Sequence, residues 1–192
     1  MAQRRSEIVR QPITVRPTRR RGLDERLFVR LPGASRALFR VAWLAIRRLS
    51  PRSRLRRAVL RTVIPRACEA LNRRDLEVFS VFLHPEIESV NTAQVVALGG
   101  LVPGSRGRET WLEGQRRWLD DWGELRYEPN EVHDLGDDRL LLLGSGKGTG
   151  RYSGIELDTE WGLLATISDG LLAREQNFLD RGEALKAAGL PD

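Results

Sequence analysis

Cysteine is nearly absent from this sequence, and histidine is almost as scarce. The single cysteine, Cys68, excludes an internal disulfide and any multi-cysteine zinc site; it falls on the apolar stripe of a predicted helix, where a buried, inert thiol is expected. The two histidines, His84 and His133, have no carboxylate at metal-ligand spacing, so neither a metal nor another cofactor is expected. No run approaches the ~20 apolar residues that cross a bilayer. Acids are scarce over residues 1–61, where 18 arginines stand against only Glu7, Asp24 and Glu25, a surplus of +15; the remainder holds 14 basic and 23 acidic residues, a balance of −9. No nucleic-acid partner is expected for so divided a chain, although residues 1–50 suit an anionic membrane surface or another polyanion. Arg19-Arg20-Arg21 resembles a twin-arginine signal, but Gly22, Asp24, Glu25 and Arg26 follow where an apolar core should be. An Arg-rich, acid-poor start is also similar to an organellar transit peptide; a cytoplasmic, or peripherally membrane-bound, protein is the expectation.

The length fits one ordinary domain with an extension. Residues 1–50 form the basic arm: a disordered or loosely draped tail to Gly22, a short apolar run Leu27 to Leu31, then a helix from Ala34 to Leu49. In that helix Leu38, Val41, Ala42, Ala45, Ile46 and Leu49 share one face and Arg36, Arg40 and Arg47 the other, which suits docking on the domain behind it or lying in a membrane interface. Residues 51–192 form the domain. Ser53 opens a helix with the stripe Leu60, Ile64, Ala67, Cys68 and Leu71, and Pro65 predicts a kink or break after Arg61. Asp75 caps a short helix, and Glu86 to Thr92 reads as a strand with Ile87, Ser89 and Asn91 on one face. The glycine-bearing stretch from Ala93 to Gly107 reads as a loop or short strand rimming an opening. Arg108 to Trp122 is a helix whose Trp111, Gln115, Trp118 and Trp122 make one stripe, either core or the wall of an apolar pocket. From Glu124 to Asp180 strand-like runs are punctuated by Gly136-Asp137-Asp138 and Asp169-Gly170, the pattern of an antiparallel meander.

Two motifs fail on their chemistry. The run Gly144-Ser145-Gly146-Lys147-Gly148-Thr149-Gly150 lacks the spacing of a phosphate-binding loop and joins strand to strand, with no helix N-terminus; its glycines suit a bend, a bulge or a close backbone approach. No Gly-x-Ser-x-Gly and no workable Cys-His pair supports a nucleophilic hydrolase. His133 and Asp134 are neighbours on a strand, point to opposite faces and cannot pair with each other.

Ala70-Leu71-Asn72-Arg73-Arg74-Asp75-Leu76-Glu77 resembles the Asn-Arg-x-Asp helix ending of the SnoaL-like branch of the nuclear transport factor 2 fold superfamily. His84-Pro85-Glu86-Ile87-Glu88 is similar to its first strand, Gly107-Arg108-Glu109 to the start of its third helix, Asp134-Leu135-Gly136-Asp137 and Ser168-Asp169-Gly170 to its turns, and Asp180-Arg181-Gly182-Glu183-Ala184-Leu185 to its last helix. The resemblance spans about Arg54 to Leu190. It implies an α+β cone, a curved antiparallel sheet packed against helices around a deep apolar pocket, and a homodimer. It also implies a family of cyclases, isomerases, epoxide hydrolases and proteins with no known reaction, among which fold alone does not choose.

The enzymes of that family place a carboxylate in the pocket, where desolvation raises its pKa. By resemblance Asn177 stands in the place of their acid, Asn91 matches a water-holding asparagine, Ser89 replaces a tyrosine, and Gly144 to Gly146 occupy the region of an arginine and aspartate pair. The leading expectation is therefore a binding protein for an apolar small molecule, its pocket lined by Ile87, Trp111, Trp118, Leu163 and Ile167 with Ser89, Asn91 and Asn177 as polar anchors. An enzyme would need another acid or base, with His133, Asp134 and Glu160 as candidates and Tyr127 as a donor. A dimerising platform whose arm engages a membrane or partner is the third reading.

Overall fold

A computed structural model of the chain describes residues 8–15, 17–18 and 20–191; the first seven residues of the arm, with Arg16, Arg19 and Asp192, lie outside the described residues. Among the described residues seven strands form one curved, unclosed sheet in the order β1-β4-β5-β6-β7-β2-β3. They are β1 (Val9–Pro12), β2 (Leu83–Asn91), β3 (Gly104–Arg106), β4 (Trp122–Gly136), β5 (Arg139–Gly150), β6 (Glu156–Ser168) and β7 (Leu171–Phe178). All neighbours run antiparallel except β2 and β7. On one face lie α2 (Pro32–Ile46), α3 (Arg54–Asn72), α4 (Leu76–Ser80) and α6 (Arg108–Asp121); α7 (Arg181–Ala188) covers part of the other. Two short helices complete the set, α1 (Leu23–Arg30) in the arm and α5 (Ala93–Ala97) in the rim. The meander and its turns stand as the sequence implies: Asp137 and Asp138, like Asp169 and Gly170, take positive φ in tight hairpins.

One bulge in β4 decides which side chains face the helices. Tyr127 pairs with Gly146 but Glu131 with Leu143, so one extra residue sits in β4 between them and the alternation changes phase. Before the bulge Leu125 and Tyr127 face inward; after it Val132 and Asp134 do, and Glu131, His133 and Leu135 turn outward toward α7. Gly144 lies opposite Pro129 at this point, and a Cβ there would stand 2.3 Å from the Glu128 carbonyl oxygen. The glycine run thus serves the bulge, where a proline without an N–H is also tolerated.

The arm is built into the domain. Residues 9–12, expected within a draped tail, pair with β4 from Val9 opposite Asp134 to Pro12 opposite Glu131. Ile13, Trp43 and Ile46 join Leu60, Ile64, Val132, Leu140 and Leu142 in one apolar cluster. α2 docks through Phe39, Trp43 and Ile46, whereas Leu38 and Val41, expected on its buried face, point to solvent. The sheet dictates this choice through its turns: Trp43 Nε1 donates to Asp138 Oδ1 at 2.9 Å, Arg40 pairs with Asp169 at 3.2 Å, and Gly170 passes under the Phe39 backbone. α3 runs unbroken through Pro65, because tertiary contacts on Leu60, Ile64 and Ala70 outweigh the one backbone bond a proline removes.

Candidate functional site

Between α3, α6, the rim and the inner face of the sheet lies a cavity of about 140 Å³. Its wall is apolar and aromatic, with Leu71, Phe79, Leu98, Trp111, Trp118 and Trp161 among the lining residues and Glu175 the one acid there among the described residues. Two larger hollows, of about 550 and 560 Å³, are open surface features among charged side chains such as Arg74, Lys147 and Asp158 in one and Arg61, Arg66 and Asp24 in the other.

Glu175 comes from β7 and faces inward with Asn177, two residues on. The register brings Ser89 of β2 beside Glu175 and Asn91 beside Asn177. Glu175 Oε1 accepts from Trp111 Nε1 at 2.6 Å, from Ser89 Oγ at 2.7 Å and, more weakly, from Asn177 Nδ2 at 3.4 Å. All three donors converge on that one oxygen, and Oε2 takes none of them. Asn177 Nδ2 also donates to Asn91 Oδ1 at 2.9 Å, and Asn91 Nδ2 donates to the Val102 carbonyl at 2.7 Å, which ties the network to the rim. Burial drives the Glu175 pKa above the ordinary carboxylate value; the hydrogen bonds from Trp111, Ser89 and Asn177 oppose that rise without cancelling it. No cationic side chain among the described residues pairs with it.

Tyr127 lines the same cavity. Its hydroxyl oxygen accepts from Trp118 Nε1 at 2.7 Å, which leaves the O–H free to donate. Burial pushes its pKa up to about 12; the Trp118 hydrogen bond works against this and the charge of Glu175 adds to it, so the phenol stays protonated at neutral pH. Asn72 fixes its position from the end of α3: Asn72 Nδ2 donates to the Tyr127 carbonyl at 2.9 Å and Asn72 Oδ1 accepts its N–H at 2.8 Å. Beside it Arg74, at a φ of 60°, donates to the carbonyls of Leu119, Trp122 and Gly123, and the Asp75 carboxylate accepts the Val78 N–H to cap α4. The Asn-Arg-x-Asp run is therefore the joint that sets α3 and α4 against β4.

Of the expected lining residues, Trp111, Trp118, Leu163 and Asn177 border the cavity, and Ser89 and Asn91 border a smaller one beside it that shares Leu101, Trp111 and Gln115. Ile87 and Ile167 lie in the apolar core clusters instead. Three of the expected acid-base candidates are elsewhere. Asp134 is fully buried in a two-pronged ion pair with Arg56, at 2.6 and 2.8 Å. His133 is on the outer face, 3.6 Å from Glu131, which also pairs with Arg10 and Arg181; burial holds the imidazole below its ordinary pKa. Glu160 is exposed, on the face of β6 opposite Trp161. The expectation of a pocket without a carboxylate is overturned by Glu175, which shares the inward face of β7 with Asn177 by simple alternation. Cys68 borders the cavity too, with burial pushing its thiol up to about 12, too high for a nucleophile at neutral pH. Among the described residues no three His, Cys, Asp or Glu side chains are grouped to hold a metal ion.

No family model matches the chain, and neither does any curated protein. Solved structures do. An NTF2-like protein of unknown function from Burkholderia pseudomallei K96243 superposes with a TM-score of 0.55 at 20% identity, covering 64% of this chain and 92% of its own. The chain has the fold of the nuclear transport factor 2-like, SnoaL-like proteins. TerC, crystallised with polyporic acid, matches with a TM-score of 0.54 at 20% identity over 66% of this chain and 95% of its own. A protein named as a SnoaL-like polyketide cyclase, from Jannaschia sp. CCS1, matches with a TM-score of 0.51 at 17% identity over 67% and 90%. These three structures are matched almost whole, while about a third of this chain lies outside each match.

Proposed function

We propose that this protein binds a compact apolar molecule in the cavity and moves a proton on it, with Glu175 as the acid-base group and Tyr127 as the hydrogen-bond donor opposite. The observation that supports this most is the pairing in one apolar cavity of a carboxyl made basic by burial with a phenol kept protonated by the same burial. Glu175 in its ionised form takes a proton from a carbon next to a carbonyl. The electron pair moves onto the carbonyl oxygen, which Tyr127 O–H stabilises, and the protonated Glu175 returns the proton to the same or a neighbouring carbon. No cofactor enters this balance, and the proton held on Glu175 exchanges with solvent between the two transfers, so that in heavy water a deuteron is returned. An apolar volume of about 140 Å³ is close to that which accepts a benzene-sized guest, so the substrate class is a one-ring or similarly small carbonyl compound.

The test is deuterium exchange at the carbons flanking the carbonyl of cyclohexanone, followed by NMR, with wild type and Glu175→Gln. Exchange catalysed by wild type and lost by about a hundredfold or more in the variant is expected. Equal exchange in both would refute the role of Glu175. Binding of cyclohexanone retained by the variant, read from tryptophan fluorescence, separates loss of chemistry from loss of the cavity.

A further inference from the structure

The helix α2 is apolar on two sides, and the domain covers only one. Phe39, Trp43 and Ile46 face the domain. Away from them Ala34, Leu38, Val41 and Ala45 recur at steps of four, three and four, the spacing of a continuous stripe, and all four are exposed. Leu38 is 58% and Val41 64% exposed, and Leu27 and Leu31, each 57% exposed, carry the apolar surface back into α1. A helix apolar on nearly every side is ordinarily buried. Here the outer stripe has no cover among the described residues.

Charge identifies what fits it. Arg26 and Arg30 stand one residue before Leu27 and Leu31, Arg48 stands one step of three beyond Ala45, and all three are exposed with no ion pair among the described residues. Leucine and valine at the centre with arginines at the margins match a bilayer, where apolar side chains enter the acyl boundary and the long arginine stems reach phosphate. A second copy of this chain fits poorly, since two arginine-rich faces would meet with no carboxylates between them. No described helix is long and apolar enough to cross a membrane, so α2 would lie along the surface.

We propose that the outer face of α1 and α2 docks on an anionic lipid bilayer, with Leu38 and Val41 inserted and Arg26, Arg30 and Arg48 on the lipid phosphates. This is independent of the chemistry assigned to the cavity. The test is flotation of the full chain with phosphatidylcholine vesicles and with vesicles containing phosphatidylglycerol, at low and raised salt. Wild type is expected to bind the anionic vesicles and to release as salt rises. Leu38→Glu with Val41→Glu should weaken binding by about tenfold or more. Arg26→Gln, Arg30→Gln and Arg48→Gln should each weaken it by about fivefold. Both sites are exposed, so circular dichroism and Tm of the variants should match wild type. Wild type that stays off the anionic vesicles, or a folded double variant that binds them equally, overturns the proposal. A dimer dissolved by the same two substitutions, without vesicle binding, would assign the face to a second copy. Binding of poly-glutamate without vesicle binding would assign it to an acidic protein.

Discussion

Glu175 gains three hydrogen bonds and loses its water, and the second effect is the larger. Its folded-state pKa is raised above the unfolded value, so its favourable contribution to stability is complete below the unfolded pKa and is lost as pH rises through the folded one. Glu175→Gln keeps an oxygen for Trp111 and Ser89 but cannot ionise. The variant should therefore melt no higher than wild type at about pH 4 and measurably higher at about pH 8. A Tm difference independent of pH would contradict the buried, uncompensated carboxylate. At the same scale Asn72 is a positioning residue: Asn72→Ala frees the Tyr127 backbone and should lower the exchange rate by about tenfold with a smaller change in cyclohexanone affinity. A variant changed only in affinity would count against that role. Much of this was legible in the sequence. The inward set of Ser89 and Asn91, Trp111 and Trp118 follows from periods of two and of three to four. Glu175 is equally legible two residues before Asn177 by strand alternation, whereas the resemblance to family acids points to position 177 alone.

The elements are held in place by a few polar joints that periodicity does not reveal. Arg56 sits four residues before Leu60 on the buried stripe of α3 and reads as an exposed arginine; in the fold it grips Asp134 and donates to the Ile46, Arg47 and Leu49 carbonyls at the end of α2. Arg56→Ala would leave a buried carboxylate without a partner and should cost ~3–5 kcal/mol in urea unfolding. Arg56→Met combined with Asp134→Leu should cost much less than the sum of the single changes, and additive losses would contradict a coupled pair. The β4 bulge was not legible, because one inserted residue leaves no mark in an alternating pattern; it is why His133 and Asp134 exchange the faces that Tyr127 alone would imply. Gly144→Ala pushes a methyl against the Glu128 carbonyl and should destabilise the fold by ~1–3 kcal/mol, with an unchanged urea midpoint as the contrary result.

Over the whole molecule the arm and the domain form one structure. The meander, the tryptophan helix and the order of elements were readable from turn residues and apolar periods. The docking of the arm was not: Trp43 is recruited by Asp138, Arg40 by Asp169 and β1 by the free edge of β4, all distant in sequence. Deleting residues 1–52 removes Ile13, Trp43 and Ile46 from the core cluster and uncovers Leu140 and Leu142. Truncated protein should show a lowered Tm and bind a hydrophobic dye, since losing Trp43 alone is worth ~3–5 kcal/mol; an unchanged Tm would mean that the arm only decorates the fold. The same arm presents its other side to solvent, so the fold offers an apolar cavity on one surface and a basic, apolar ridge on another. The chemistry of the cavity turns on the Glu175 side-chain carboxyl, which carbon-13 NMR can titrate, its signal assigned by difference against Glu175→Gln. A midpoint above the ordinary glutamate range is the predicted result. A midpoint within or below that range would mean that burial does not make Glu175 a base.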